Sequence, residues 1–251
     1  DVMSIIVYGD FSGPECYLAS RRADALAAAA TSIDWRAIEC RPRLPVTGCR
    51  LSAAEQDALA ARFRAIDHLL LPGEELPWTM PGLAPKSEAA VSGYAEAYGS
   101  AVDADVRRLL FELYWLEGAD IGSPTVLRTP LAGPMLRSDA SADPLRQVGY
   151  AVSVARGPIT SDAYWRIRGW RAEWQALDRP ALPVVMADGA TLTGVDALRR
   201  LGKEIAYVDA DVDPRLGDPR RYPAVAGKPS PAWVSQIGGR WRNIYRLEPA
   251  R

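Results

Sequence analysis

The first forty residues restrict the fold of this chain more than any other stretch. SIIVY (4–8) is short, β-branched and aromatic, the composition of a buried strand. Pro14 then suits the first turn of a helix, where its missing N–H would have no partner anyway, and the helix is expected to run through ECYLASRRADALAAAA to about Ala30. IDWRAIEC (33–40) follows as a second strand without a clean polar face. Two strands joined by a helix of this length form a parallel β-α-β crossover, so the sheet is at least partly parallel.

RPRLPVTG (41–48) is punctuated by two prolines and a glycine and is expected to be irregular. The texture then stays helical for more than a hundred residues. Ser52 and Glu55 form a capping box that opens AAEQDALAARFRAIDHLLL. Further helices are expected over 87–99, 103–118, around 143–156, and over 161–177, the last capped by Ser161. Trp165, Ile167, Trp170, Trp174 and Leu177 recur there at helical spacing, which reads as core or interdomain packing.

Strand character returns at LPVVMAD (182–188). Asp188-Gly189 is a hairpin signal before ATLTG (190–194), and VDALRRLGKEI (195–205) closes with a helix. The order β-α-β, helices, β-β-α implies an α/β domain split in two, 3–48 and 180–206, around a helical insert, 49–179. Residues 207–251 are rich in Pro, Asp and Gly and are expected to form an irregular extension, pinned near Trp233 and Trp241.

Charge and cysteine usage narrow the chemistry. With 30 Lys+Arg against 31 Asp+Glu, nothing advertises a nucleic acid or an anionic membrane as partner. No apolar run is long enough for a span, and the first residues show no basic flank before an apolar stretch, so a cytoplasmic protein is expected. Cys16, Cys40 and Cys49 form neither a zinc pattern nor a disulfide framework, and the single histidine, His68, lies near a helix end where exposure is expected. Cys40 reads as a small buried hydrophobe and Cys49 as part of a turn before the insert; a Cys16–Cys49 bridge is the one alternative dithiol.

DFSGPECYLASRR (10–22) resembles the Asp-x-x-Cys-Pro-x-Cys-Tyr-x-Gly stretch of the thioredoxin-like DsbA family in its FrnE-like branch. Kappa-class glutathione transferases and 2-hydroxychromene-2-carboxylate isomerases are close relatives of that branch. WRAIECRPRLPVTG, RRLLFELYWLEGADIGSPTVLRTPLA (107–132) and LPVVMADGATLTGVDALRRL carry the likeness over roughly residues 4–205. The resemblance implies a thioredoxin-like fold interrupted by an all-helical domain. It also makes Pro183, rather than Pro124 of GSPT, the cis-proline that faces the active-site turn.

The departure lies in the turn itself, which reads Gly13-Pro14-Glu15-Cys16. Dithiol members attack with the first cysteine, whose thiolate the helix N-terminus stabilises. Here that position is Gly13, with Ser12 the only nearby hydroxyl and Cys16 matching the resolving thiol. Three readings stay open. Cys16 could exchange with glutathione, mycothiol or a protein thiol through a mixed disulfide. Alternatively the protein could cradle a small thiol that is itself the nucleophile, using the backbone N–H groups of Ser12, Gly13 and Cys16. The third is a binding protein that kept the fold and dropped the chemistry. The resemblance assigns Gly13, Pro14, Leu182 and Pro183 to substrate or thiol binding. It matches Asp196 with the kappa-class aspartate that meets the ammonium of glutathione. No metal or tightly bound cofactor is expected, and a homodimer stays open. Any ligand is expected between the α/β domain and the insert.

Overall fold

The structure, a computed structural model, describes residues 4–77, 80–138 and 144–212. Ser4–Gly9 forms strand β1, with Ile5 and Val7 fully buried, and Pro14–Ala28 forms helix α1. Ser32–Ala37 is strand β2, parallel to β1 in a register that pairs Ile5 with Ile33 and Gly9 with Ala37. The crossover expected from the opening residues is therefore present. Strand β2 ends three residues before Cys40, whose N–H leaves the ladder for the Asp10 carboxylate.

The middle of the chain holds a two-stranded ribbon of β3 (Cys49–Arg50) and β4 (Leu83–Ala84), and around it the helices α2 (Ala53–Asp67), α3 (Glu88–Ala97), α4 (Asp103–Trp115), α5 (Pro124–Arg137), α6 (Pro144–Gln147) and α7 (Ser161–Ala176). The Ser52 capping box starts α2, and exposed His68 ends it. Three expectations change. The helix around 143–156 shrinks to α6, because Gly149 and Arg156 hold positive φ and turn the backbone out of any helix. Helix α7 is capped by Thr160, whose hydroxyl accepts from Ala163 N–H, and Ser161 is its first residue. Helix α5 was not expected, since Pro130 and Pro134 lie inside it. Pro130 strips a partner from the Val126 carbonyl on the helix's exposed side.

Val184–Ala187 (β5) and Ala190–Thr193 (β6) form a hairpin through Asp188 and Gly189, both at positive φ, as the Asp-Gly pair predicts. Strand β5 lies antiparallel to β1, so the four-stranded sheet has the order β2-β1-β5-β6, built from both ends of the described chain. Gly194–Val212 forms α8, which takes in residues 207–212 assigned by sequence to the irregular extension; Trp233 and Trp241 lie outside the described residues.

One apolar core runs through sheet and helices alike. Phe111 of α4 packs edge-on against Trp35 of β2 and lies against Phe11, and the Tyr94 hydroxyl of α3 donates to the Trp35 carbonyl. Of the tryptophan stripe, Trp170 and Trp174 join this core, whereas Trp165 is 66% exposed, because the apolar face of α7 covers only part of its turn. Arg22 of α1 is buried against α8. It donates to both Glu74 carboxylate oxygens at 2.8 Å and to the Leu69 and Leu198 carbonyls, so its desolvation is met by four acceptors.

Candidate functional site

The turn between β1 and α1 is built on Asp10. Its carbonyl accepts Gly13 N–H, and its carboxylate Oδ1 accepts both the Ser12 N–H and the Ser12 hydroxyl at 2.7 Å, a side-chain turn of the kind aspartate favours. The other oxygen, Oδ2, accepts Cys40 N–H at 2.9 Å and the Ser87 hydroxyl at 3.3 Å. Ser87 thereby leaves α3 without a side-chain cap in order to reach Asp10. Trp115 Nε1 donates to the Phe11 carbonyl, so the same turn is held from α4 as well.

Gly13 is the N-cap of α1 and Pro14 its first residue; the first helical bond runs from Tyr17 N–H to the Gly13 carbonyl. The N–H groups of Ser12 and Gly13 are spent on Asp10, which corrects the expectation that they would face a ligand. Among the described residues, the N–H groups of Glu15 and Cys16 have no acceptor, and these carry the positive end of the α1 dipole.

Cys16 is 1% exposed, and its sulfur accepts the Asp10 N–H at 3.4 Å. Burial pushes its thiol well above the usual range, the Asp10 N–H only partly offsets this, and the Glu15 and Asp10 carboxylates push the same way. Cys40, expected to be buried, is exposed, because β2 stops before it and the chain turns into the proline-rich exit. Its thiol is nevertheless raised, by desolvation within the cleft and by the Asp10 carboxylate. Cys49 is half-buried on β3, and all three cysteines are free.

These groups open into a cleft of about 650 Å³. One wall holds Asp10, Ser12, Gly13, Glu15 and Cys16, a second Cys40, Arg41 and Arg62, and a third Trp174, Pro180, Ala181, Leu182, Gly194 and Val195. Arg62 of α2 donates to both Glu15 oxygens, one contact at 2.9 Å. Arg41 is exposed, reaches the Ser12 hydroxyl at 3.4 Å, and has no carboxylate partner among the described residues. The third wall is mostly apolar. It is held by Trp174 Nε1 donating to the Pro180 carbonyl and by Gly194 N–H donating to the Pro183 carbonyl, and the Leu182–Pro183 peptide is cis.

Of the residues singled out in the sequence, Ser12, Gly13, Cys16 and Leu182 therefore meet in one cleft. Pro14 and Pro183 are buried beside it, and Asp196 is exposed just outside it, paired with Arg199 at 2.9 Å. Sequence reasoning missed Asp10, Cys40, Arg41, Arg62 and Trp174 as parts of the site. The Asp-x-Ser spacing at 10–12 is a readable turn signal for the first. Nothing local marks Arg62 or Trp174, which arrive from distant helices. Among the described residues no group of three or more acidic, histidine or cysteine side chains could hold a metal, and no helix is long and apolar enough to cross a membrane.

A β-α-β unit and a β-β-α unit sharing one sheet, with a cis-proline loop across a cleft from the first helix N-terminus, define a thioredoxin-like fold, here carrying a helical insertion. The architecture is that of DsbA-like proteins. A 2-hydroxychromene-2-carboxylate isomerase superposes with a TM-score of 0.58 at 19% identity, over 84% of this chain and 98% of its own. A probable DsbA oxidoreductase from Streptomyces coelicolor gives 0.53 at 17%, over 85% and 92%. The cytosolic disulfide reductase DsbM from Pseudomonas aeruginosa gives 0.51 at 16%, over 83% and 98%. No family profile and no curated protein matches the sequence.

Proposed function

We propose that this protein binds a small thiol, such as glutathione or mycothiol, at the N-terminus of α1 and uses that ligand's sulfur as the nucleophile of a transferase or isomerase reaction. The observation that carries this reading is the state of Cys16. The only cysteine of the active-site turn is sealed from solvent, tied to the Asp10 N–H and held protonated, while the turn around it still opens into a cleft. A thiol that burial keeps protonated and only 1% exposed is a poor nucleophile, even at the edge of a cleft.

The cleft supplies what a bound thiolate needs. The free N–H groups of Glu15 and Cys16 and the α1 dipole stabilise negative charge on the sulfur, and Arg41 adds a cation without a carboxylate partner. Gly13 keeps the backbone open to close approach by the ligand. Trp174, Ala181, Leu182 and Val195 offer an apolar surface for a second substrate next to the sulfur. Asp196, one residue beyond Val195, would meet an ammonium at the cleft mouth by exchanging its exposed partner Arg199 for the ligand.

The test is calorimetric titration with reduced glutathione and with mycothiol, alongside alkylation of the folded protein. Saturable binding of one thiol with Cys16 unmodified is expected. Rapid alkylation of Cys16 at neutral pH with no thiol binding would overturn the reading in favour of single-thiol chemistry, and silence in both assays would reduce the protein to a binding scaffold.

A further inference from the structure

Most of the apolar wall of the cleft is one short piece of chain. Trp174 stands on the last turn of α7, and Pro180, Ala181 and Leu182 lie on the exit that leads from that helix into β5. Arg179, at positive φ, donates its N–H back to the Trp174 carbonyl at 3.2 Å, and Trp174 Nε1 donates to the Pro180 carbonyl at 3.1 Å. These bonds fold the exit onto the end of the helix, so the two are placed together. The far end of the segment is fixed by β5, which pairs with β1. Where the near end stands depends on what holds the last turn of α7.

That turn is tied to the sheet from outside the cleft, through Glu173, the residue before Trp174. Glu173 Oε2 accepts the Tyr8 hydroxyl of β1 at 2.8 Å and Arg36 Nη1 of β2 at 2.6 Å. The same Arg36 nitrogen donates to the Tyr8 hydroxyl at 2.9 Å, while Nε and Nη2 reach Asp34 Oδ2 at 3.0 and 2.7 Å. Asp34 Oδ1 in turn accepts the hydroxyl of Tyr98, the C-cap of α3, at 2.7 Å. One guanidinium thus joins two carboxylates, and a tyrosine completes each of them. Burial, and after it the Glu173 hydrogen bond, push the Tyr8 hydroxyl up to about 12 against the opposing pull of Arg36, so it remains a donor. The Arg36–Glu173 pair is partly exposed, 20% and 47% at the two side chains, so it adds little to global stability. What a planar guanidinium fork supplies in such a place is direction.

We infer that Tyr8, Arg36 and Glu173 are positioning residues of the cleft: they seat the last turn of α7 on the sheet and thereby set where Trp174 and the 180–182 exit stand opposite the N-terminus of α1, and so how tightly an apolar second substrate is held. The inference rests on the reading of that wall as the surface for the second substrate. None of the three residues lines the cleft, so they act through Trp174 and the exit. The thiol half of the site is held by a separate set of bonds, through Asp10 to Ser12, Cys40 and Ser87 and from Trp115 to Phe11. Loosening the clamp therefore changes one half of the cleft and spares the other.

The test compares two ligands on the full chain: N-phenyl-1-naphthylamine, a neutral apolar fluorophore, followed by fluorescence, and reduced glutathione, followed by calorimetry. Glu173→Ala is expected to weaken fluorophore binding about tenfold. Its glutathione affinity should stay within about twofold of the wild type. Glu173→Gln keeps an oxygen that accepts from Tyr8 and Arg36 and should restore fluorophore binding, a rescue that loss of a surface charge alone would not allow. Tyr8→Phe removes one donor from the clamp and should shift fluorophore binding in the same direction as Glu173→Ala; it carries the test if that variant fails to fold. Val195→Asp places a charge on the wall itself and should abolish fluorophore binding. Clamp variants that bind the fluorophore as the wild type does, or that weaken both ligands equally, overturn the inference and leave the small-thiol reading standing. A wild type that does not bind the fluorophore, or a Val195→Asp variant that binds it undiminished, overturns the apolar-wall reading and the inference with it. Failure of the wild type to bind glutathione counts against the small-thiol reading alone.

Discussion

Replacing Gly13 by cysteine asks whether the turn is still a dithiol site in everything but one side chain. A Cβ at position 13 would lie 3.6 Å from Cys16 Cβ and 3.3 Å from its sulfur, with the Asp10 carbonyl next at 3.7 Å. Cβ atoms joined by a disulfide lie about 3.5–4.5 Å apart, so Gly13→Cys needs a shift of only a few tenths of an ångström to pair with Cys16. The backbone at Gly13, φ −97° and ψ 127°, is one any residue adopts. The new thiol would sit at the N-cap of α1 beside the free N–H groups of Glu15 and Cys16, which lowers its pKa below the free value of about 8.5 and makes it the attacking sulfur. A loop this short confers on the order of 2 kcal/mol when closed. Equilibration of Gly13→Cys with oxidised glutathione should therefore yield an internal disulfide, read as loss of one hydrogen from each thiol by mass. The oxidised form should unfold at higher denaturant than the reduced one, and a disulfide reductase activity absent from the wild type should appear. A variant that keeps two alkylatable thiols at positions 13 and 16, or whose oxidised form is the less stable, would refute the geometric argument.

Three further outcomes rest on burial. Arg22→Ala should cost about 3–5 kcal/mol in denaturant unfolding because it removes the cation that both oxygens of the buried Glu74 carboxylate meet, whereas Arg62→Ala, which breaks a pair about half exposed on its cationic side, should cost less than about 1 kcal/mol. Gly9→Ala should destabilise by about 1–3 kcal/mol, since its Cβ would collide with the fully packed Trp35 ring, Cη2 lying 2.8 Å from the added atom; a variant as stable as the wild type would show that β1 and β2 are less closely apposed than described. The thiol of Cys16 ionises near its ordinary value in the unfolded chain but is held protonated in the fold, so above about pH 9 the unfolded state binds fewer protons and stability falls as pH rises. Cys16→Ala should remove up to about 1.4 kcal/mol per pH unit of that decline without altering the pH dependence below about pH 8, as read from urea midpoints across the alkaline range.

How much of this could be read in advance depended on the range of the interactions involved. The crossover, the Pro14 helix start, the Ser52 capping box and the Asp188-Gly189 hairpin are written in neighbouring residues and appear where local rules place them. Helix α5 was illegible because its two internal prolines contradict local propensity, and its buried residues Leu127, Leu131 and Met135 hold it by tertiary packing instead. The truncation at α6 has the opposite cause, a helical composition overruled by backbone forced to positive φ at Gly149 and Arg156. At the site, Ser12, Gly13, Cys16 and Leu182 were legible because two short motifs carry them. Cys40 was misread because strand alternation places a residue on a face only as far as the strand lasts, and β2 stops at Ala37.

Asp10 shows why the rest required the fold. Its partners lie two, thirty and seventy-seven positions away in sequence, at Ser12, Cys40 and Ser87, and no periodicity links them. What brings them together is topology. Strand β1 is central in the sheet, so the turn leaving it is flanked by the exit of β2 on one side and by the loop entering β5 on the other, while α3 packs its start against the same end. A polar hub at that junction is needed to satisfy donors that converge from three elements, whatever residue stands at position 13. This explains how the turn holds its shape without a side chain at position 13: the hydrogen bonds that define it run through Asp10, and none of them uses a side chain at Gly13. The cleft therefore keeps its form with only a hydrogen atom at position 13.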